Sequence, residues 1–246
     1  MKKEIYEKYK YFCKQYKLTG YNVKRLWSMI RPICYHKEFI KRCQAPFWHH
    51  DCKTLGDHII CDAIVTYKMI TKLKKKNKKF DFINLKAAIC IAMFHDLYEE
   101  PWQNNLKAKK KKFINNHGFT HPLEAVTNAI TWFPQYFTDE HEALIIIDGI
   151  IHHMFPFPVR AIDNVPLELN NQEKYDALAD KYKKIMISST LIGQLGHISL
   201  RRSFYIEGIL MSKADKIVAI RKDIHSLDGY LSLLTGKNKR LMKKDD

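Results

Sequence analysis

Apolar residues recur at helical spacing along almost the whole chain, whereas the alternating pattern typical of β-strands is scarce. Glycine and proline, the residues that interrupt helices, number only 9 and 8 among 246 residues. The sequence therefore predicts an all-α fold. The predicted helices cover residues 2–17, 21–30, 36–43, 55–76, 81–96, 122–133, 139–154, 171–187 and 203–224.

Four of these helices carry recognisable start signals. Thr54 precedes the run LGDHIICDAIVTYKMITKLKKK and can cap it, and Asp139 can cap the run EHEALIIIDGII in the same way. Asp81 is the expected cap of the run that ends in AAICIAMFHD. Pro122 is expected in the first turn of its helix, where a missing amide hydrogen costs least.

The residue types are those of a folded domain with a basic surface. Apolar residues make up 46% and charged residues 28% of the chain, and the formal charge is +16 at pH 7. A cationic surface favours anionic partners such as nucleotides, phosphates, nucleic acid or an anionic membrane. Nearly all the excess charge is lysine, so solvated surface charge is the simpler explanation, above all for the tracts at 74–79 and 107–112.

Cysteine usage and the N-terminal sequence predict a cytoplasmic protein. The chain has 6 cysteines and no CxxC pair, which is typical of reduced, mostly buried thiols. The N-terminus MKKEIYEKYKYF lacks the apolar stretch of a signal peptide. Apolar runs such as AAICIAMF are too short to cross a bilayer, so no membrane association is expected.

Histidine and aspartate recur on or near the ends of the apolar helices. Each of them alone has an ordinary explanation, such as a helix end or an exposed acid. Together they predict shared partners, because a buried polar group without one is costly. Imidazole and carboxylate are ligands of Zn, Mn, Fe, Co and Ni, so the set predicts a metal site. The residues concerned are His58, His95, Asp96, His117, His121, His152, His153 and Asp215.

The order His58, then His95–Asp96, then Asp215 resembles the H…HD…D pattern of the HD domain of metal-dependent phosphohydrolases. The segments GFTHPLEAVTNA, IIHHMFPFP and SFYIEGILMSKADK are similar to those of a poorly characterised bacterial subgroup of this family. The resemblance extends over residues 45–225. It implies an HD-like helical bundle that binds one or two divalent ions of Mn, Fe, Co, Ni, Zn or Mg.

The resemblance also implies a division of the ligands between two ions. One ion is expected on His58, His95, Asp96 and Asp215. The second is expected on His121 and His153, with Asp96 as a bridge between the two.

The choice between His152 and His153 is open in the sequence. His153 is preferred, because it precedes Met154 as in the HM pattern of the subgroup. His152 lies four residues after Asp148, on the same helical face, so these two side chains are expected to support the site from outside.

The implied reaction is hydrolysis of a phosphate ester or anhydride of a small substrate, such as a nucleotide, by a metal-activated water. Asp96 and Glu99 are the implied catalytic residues. Glu99 follows Asp96 by three residues, about one helical turn, which suits a general base, although a surface carboxylate is the alternative. Candidates for binding substrate phosphate, each with ordinary surface charge as the alternative, are His117, Arg201, Arg202 and Lys216.

The expected organisation is a single domain with two additions. Residues 1–45 form an N-terminal helical extension, and residues 46–158 and 201–225 form the HD-like core. Residues 159–200 are a helical insertion, because the HMxP and DK segments of the subgroup lie closer together. A lid, a dimer contact and plain surface are all open roles for this insertion, and homo-oligomerisation is open with them.

Two other functions stay open. The chain also resembles the few HD proteins that are di-iron oxygenases, which use a similar two-metal ligand set. A non-catalytic nucleic-acid-binding or nucleotide-binding protein is the other, since the chain is basic and has 13 tyrosines and 13 phenylalanines. Nucleic-acid binding is not favoured, because the aromatic residues lie mostly on apolar faces and no nucleic-acid motif is present.

Overall fold

The computed structural model describes residues 1–49, 53–101, 117–160, 198–200 and 202–220, and within them it is all-α as expected. The α-helices in these ranges are α1 (Lys2–Gln15), α2 (Tyr21–Cys34), α3 (Lys37–Arg42), α4 (Leu55–Lys76), α5 (Leu85–Phe94), α6 (His117–Trp132), α7 (Glu140–Ile151) and α8 (Ile206–Ile220). Two 3₁₀ turns, Lys78–Phe80 and Pro134–Tyr136, follow α4 and α6.

Two of the predicted helix caps are confirmed. The Thr54 side chain accepts a hydrogen bond from the Asp57 amide, and the Asp57 side chain accepts one from the Thr54 amide, which forms a capping box. The Asp139 side chain accepts from the Glu142 amide at the start of α7. These bonds satisfy amide groups that have no partner within the first turn of a helix.

The other two helix starts were predicted wrongly. Helix α5 is capped by Asn84, whose side chain accepts from the Ala87 amide, whereas Asp81 ends the preceding 3₁₀ turn. Helix α6 begins at His117, so Pro122 is its sixth residue rather than part of its first turn. The burial of Phe119 in the added turn favours this earlier start.

Helix α2 is longer than predicted and runs to Cys34, with Pro32 inside its last turn. The burial of Ile33 and Cys34 in the core outweighs the one hydrogen bond that Pro32 cannot donate.

Two short antiparallel strand pairs, which the sequence pattern did not indicate, join the helices. Strand β1 (Trp48–His49) pairs with β2 (Lys53–Thr54), directly before α4. Strand β3 (Val159–Arg160) pairs with β4 (Ile198–Ser199). The residues that flank 161–197 are therefore neighbours.

Helices α4 and α5 form the centre of the core. Every residue of α5 from Ala87 to Phe94 is buried, which is typical of a helix enclosed on all sides. Helix α4 packs against α1, α5 and α8, and α5 also packs against α7. The N-terminal helices α1 and α2 contribute to the same hydrophobic cluster, so the predicted extension packs directly on the core.

Helices α7 and α8 approach each other closely where two glycines meet. A Cβ atom on Gly208 would lie 2.7 Å from the Gly149 Cα, and one on Gly149 would collide with the Ile91 side chain. A larger residue at Gly208 therefore requires the backbone to move, whereas one at Gly149 requires the Ile91 side chain to move. Asp148 strengthens the crossing, because its carboxylate accepts hydrogen bonds from Ser203 Oγ at 2.5 Å and the Phe204 amide at 2.8 Å.

Within the described segments, no helix combines the length and apolarity needed to cross a membrane. The five cysteines in these segments are buried, as predicted, and none of them forms a disulfide. Four predicted features lie outside the described residues. They are the helix at 171–187, the end of the helix at 203–224, the lysine tract at 107–112 and Arg201.

Candidate metal centre

The structure brings all six predicted metal ligands to one place, where the ends of several helices meet. His58 lies in the first turns of α4, and His95 and Asp96 follow the last residue of α5. The remaining residues are contributed by α6, by the turn after α7 and by α8, namely His121, His153 and Asp215. These side chains form a polar cluster at one end of an otherwise apolar core.

We define the inner group as His58, Asp62, His95 and Asp215, whose donor atoms lie within 4.8 Å of one another. The Asp62 carboxylate lies 3.0 Å from His58 Nε2 and 3.5 Å from His95 Nε2. The Asp215 carboxylate lies 3.3 Å and 4.0 Å from the same two atoms. All four donors therefore surround one small volume.

The outer group consists of His121 and His153 with one oxygen of Asp96. Asp96 Oδ1 lies 3.3 Å from His121 Nε2 and 3.7 Å from His153 Nε2, and these two nitrogens are 3.1 Å apart. His95 lies between the groups, since its donor atom is also within 4.8 Å of those of Asp96 and His153.

Asp96 faces both groups with different oxygens. Its Oδ1 faces the outer group, whereas its Oδ2 lies 3.5 Å from His95 Nε2 and 3.8 Å from His58 Nε2. This is the arrangement of a carboxylate that can bridge two ions.

The separations between donor atoms fit a bound ion. Donors that share one ion at about 2.1 Å lie roughly 3.0 to 4.2 Å apart in tetrahedral or octahedral geometry. In addition, His95 Nε2 and both oxygens of Asp62 are buried and make no hydrogen bond within the described part of the chain. Buried polar atoms in this state are costly, and a metal ion among them would satisfy all three.

Backbone contacts orient the imidazole rings. Nδ1 of His95 lies 2.9 Å from the Ala92 carbonyl oxygen, Nδ1 of His121 lies 2.9 Å from that of His117, and Nδ1 of His153 lies 2.6 Å from that of Ile150. In each ring Nδ1 donates to a carbonyl, so Nε2 is the free ligand atom and points into the centre.

The electrostatic state of the centre follows from burial and from the carboxylates. Burial alone lowers the pKa of His58, but Asp62 and Asp215 outweigh it and hold that pKa well above its usual value. Burial and the neighbouring His95 and His121 lower the pKa of His153 to about 3, so this ring is neutral near pH 7, as a metal ligand must be.

Three side chains hold the turn that carries His95 and Asp96. Buried Arg42 donates to the Tyr98 carbonyl oxygen, and the Asn128 side chain donates to that of Leu97 at 2.6 Å. Glu124 accepts a hydrogen bond from the backbone amide at position 99 at 2.8 Å. Side chains from α3 and α6 thus bond backbone groups that have no helical hydrogen bonds, because α5 has already ended.

A cavity of about 310 Å³ opens beside the outer group. The centre contributes Asp96, His121, His153 and Asp215 to its wall, whereas His58, Asp62 and His95 do not line it. The rest of the described wall is largely apolar and consists of Tyr98, His117, Gly118, Met154, Phe157, Lys216 and Ala219. The cavity therefore gives access to the outer group and to Asp215 of the inner group, whereas His58, Asp62 and His95 lie behind them.

Two of the predicted phosphate-binding residues line this cavity, in states that the sequence did not indicate. Burial and the nearby His121 lower the pKa of His117 to about 4, so this ring is uncharged near pH 7. The Lys216 ammonium donates to the His153 carbonyl oxygen and to two oxygens of Ser212, at 2.7 to 3.1 Å. Lys216 therefore holds the turn of His153 in place.

Arg202 and Glu99 lie away from the cavity wall. Arg202 is exposed, with its guanidinium 5.2 Å from the centre of the Phe155 ring. Glu99 is also exposed, and the assumption that one helical turn separates it from Asp96 is wrong, because α5 ends at Phe94. Backbone beyond this point no longer follows helical spacing.

The two adjacent histidines face different groups. His153 faces the centre, whereas His152 Nδ1 lies 3.2 Å from the Asp148 carboxylate, on the side of the α7–α8 crossing. The described contacts of Asp148 hold the segment at Ser203 and Phe204. The pair of His152 and Asp148 therefore supports α8, which carries Asp215, rather than touching the donor atoms themselves.

Asp62 is the one residue of the inner group that our sequence analysis missed. It is fully buried and lies four residues after His58, one turn along the same face of α4. That spacing is the signal that could have found it, because side chains four apart on a helix are neighbours.

Comparison with known proteins gives no assignment, since no protein-family model, curated protein or solved structure matches this chain.

Proposed function

We propose that this protein is an HD-type metal-dependent phosphohydrolase, which cleaves a phosphate ester or anhydride of a small molecule such as a nucleotide. The observation that carries the proposal is the position of Asp96, whose two oxygens face two separate sets of donors at the wall of an open cavity. Two ions bridged in this way lower the pKa of a bound water and brace the attacking and leaving oxygens of a phosphoryl group.

The residues of the chain have distinct roles in this proposal. Asp96 joins the two groups and keeps them at a fixed separation. His121 and His153 complete the outer group at the cavity, where a phosphate group of the substrate is bound. The apolar wall, including Tyr98 and Phe157, accepts the remainder of the substrate, and an aromatic nucleobase suits such a surface.

The overall charge favours the same class of substrate. A formal charge of +16 raises the local concentration of anions around the protein and speeds their association at low ionic strength.

The direct test is a screen for phosphate release. The purified chain is loaded in turn with Mn²⁺, Co²⁺, Ni²⁺ and Mg²⁺ and offered nucleoside mono-, di- and triphosphates and a simple aryl phosphate. We expect turnover of at least one of them, and its loss to background in a His95→Ala, Asp96→Ala double variant.

A matched control replaces the same residue types at exposed positions, His141→Ala with Asp81→Ala, and should keep full activity. Equal turnover in the double variant of the centre would sink the proposal. Bound iron with oxygen consumption and no phosphate release would select the di-iron oxygenase function instead.

A further inference from the structure

The inner group contains one carboxylate more than the HD pattern requires, and that carboxylate faces the donor atoms. Asp62 is 0% exposed, and its Oδ2 lies 3.0 Å from His58 Nε2 and 3.5 Å from His95 Nε2. His95 uses Nδ1 for the Ala92 carbonyl, so its Nε2 is the atom that faces a metal. A carboxylate that supports a ligand from outside would contact Nδ1, whereas Asp62 lies on the Nε2 side.

The lack of hydrogen bonds to the Asp62 carboxylate also points to a bound ion. Neither of its oxygens makes a hydrogen bond within the described part of the chain, although the side chain is completely buried. A buried carboxylate in that state is strongly disfavoured unless it is paired with a cation, and its nearest neighbours, His58 and His95, present Nε2 atoms that a metal ion would share with it. The donors around it lie at separations that one ion can span.

With Asp62 included, the two groups have unequal numbers of donors. The inner volume has four donors within 4.8 Å of one another, from His58, Asp62, His95 and Asp215, and Asp96 Oδ2 adds a fifth at its edge, 3.5 Å from His95 Nε2 and 3.8 Å from His58 Nε2. The outer volume has three, from Asp96, His121 and His153. An ion that prefers six ligands is almost saturated in the first and half open in the second.

Access follows the same division. The cavity wall includes all three outer donors, whereas of the inner donors only Asp215 and the bridging Asp96 line it, and His58, Asp62 and His95 do not. A closed donor set holds a metal permanently, whereas an open set leaves positions for water and substrate.

We propose that Asp62 is a direct ligand of an inner, permanently held metal ion, and that the outer ion at the cavity exchanges with solvent and is the one that meets substrate. This proposal rests on the proposed function for the role of the outer ion. The assignment of Asp62 stands on the geometry of the inner group.

The test uses metal binding alone and no substrate. The full-length protein is stripped with a chelator, reloaded with Co²⁺ and passed through a desalting column. Metal analysis should then find one retained ion per chain, and titration of that form should detect a second, weaker site. Two ions of equal affinity, or none retained, would overturn the proposal.

Asp62→Asn keeps the shape of the side chain and removes its charge. We expect loss of the retained ion, a decrease in inner-site affinity of more than about 100-fold, and an altered Co²⁺ absorption spectrum. An unchanged Co²⁺ spectrum would show that Asp62 is not a ligand. Asp81→Asn, at an exposed position, is the matched control and should behave as wild type.

A second variant keeps the test decisive if Asp62→Asn fails to fold. His121→Ala removes only an outer ligand, so it should retain the inner ion and lose the weaker site. Loss of the retained ion in His121→Ala would contradict the division of the centre. Two unequal sites in a protein that hydrolyses no phosphate would refute the proposed function and leave the assignment of Asp62 intact.

Discussion

At the scale of single residues, the centre depends on side chains that fix backbone rather than bind ions. Arg42 is completely buried and packs its guanidinium 4.4 Å from the centre of the Trp132 ring while it donates to the Tyr98 carbonyl oxygen. Lys216 and Ser212 both donate to the His153 carbonyl oxygen. These bonds fix the backbone of the two turns that carry Asp96 and His153.

Tyr98 offers a prediction at this scale. Its hydroxyl is buried, has no hydrogen-bond partner within the described residues, and belongs to a side chain that lines the cavity. Burial holds its pKa well above the usual value, so the hydroxyl stays protonated and can donate to a substrate oxygen. Tyr98→Phe should lower kcat/KM by roughly two- to tenfold with no loss of stability.

The control for Tyr98 is a tyrosine whose hydroxyl is in use. Tyr67 donates to Asn22 Oδ1 at 3.0 Å, far from the cavity wall, so Tyr67→Phe should cost about 1 kcal/mol of stability and leave kcat/KM unchanged. Chemical denaturation and steady-state kinetics separate the two effects. Equal destabilisation by both variants, with kcat/KM unaffected in both, would contradict the role assigned to Tyr98.

At the scale of helices, the donor atoms sit where helices end or cross, and the sequence indicated this only in part. The runs of apolar residues predicted α4 and α7 well, and the existence though not the ends of α5, because such helices are stabilised by burial along their whole length. The start of α6 was missed by five residues, because Pro122 suits a first turn but is also tolerated further into a helix whose next turns pack on the core.

The crossing of α7 and α8 yields a prediction for this scale. A methyl group at Gly208 would collide with Ser203 Oγ and lie 2.7 Å from the Gly149 Cα, so Gly208→Ala should push α8 outward. Asp215 lies about two turns further along α8 and should move with it. We expect a loss of roughly 1 to 3 kcal/mol of stability and weaker binding of the retained metal ion.

Gly118→Ala is the matched control, because a Cβ atom at this helical position meets nothing within 4 Å. It should change stability by less than about 1 kcal/mol, in the favourable direction. Denaturant titration of both variants, with and without Co²⁺, measures the two effects. Normal stability and normal metal retention in Gly208→Ala would show that the close crossing does not position Asp215.

At the scale of the whole molecule, the centre joins helices that are far apart in the sequence. Its donors come from three helices, α4, α6 and α8, and from the turns that follow α5 and α7. Together these elements enclose most of the core. A bound ion therefore stabilises the folded chain as a unit, because the unfolded chain cannot present these donors together.

Metal removal should accordingly lower thermal stability. At a free metal concentration of about 1,000 times Kd, binding contributes about 4 kcal/mol, which corresponds to roughly 10 °C in Tm for a chain of this size. Thermal denaturation with metal and with a chelator measures this difference. His95→Ala should lose the metal-dependent increase in Tm, and His141→Ala, at an exposed position, should keep it. A Tm that does not respond to chelation in the wild-type protein would argue against a resident ion.

The sequence by itself determined the helical class of the fold and the chemistry of the donors. Helical spacing of apolar residues specifies local structure. Histidine and aspartate on apolar helices need polar partners in any fold that buries them. The order of these residues along the chain also indicated which of them belong together, and the structure brings all six to one centre.

The tertiary structure alone decided which side chains face that centre. It selected His153 over His152, added Asp62, and left Glu99 and Arg202 outside the cavity wall. These outcomes depend on where α5 and α7 end and on how closely α8 packs, distances set by contacts between residues remote in sequence. Local patterns do not encode such distances, because a shift of one residue at a helix end turns a side chain by about 100°.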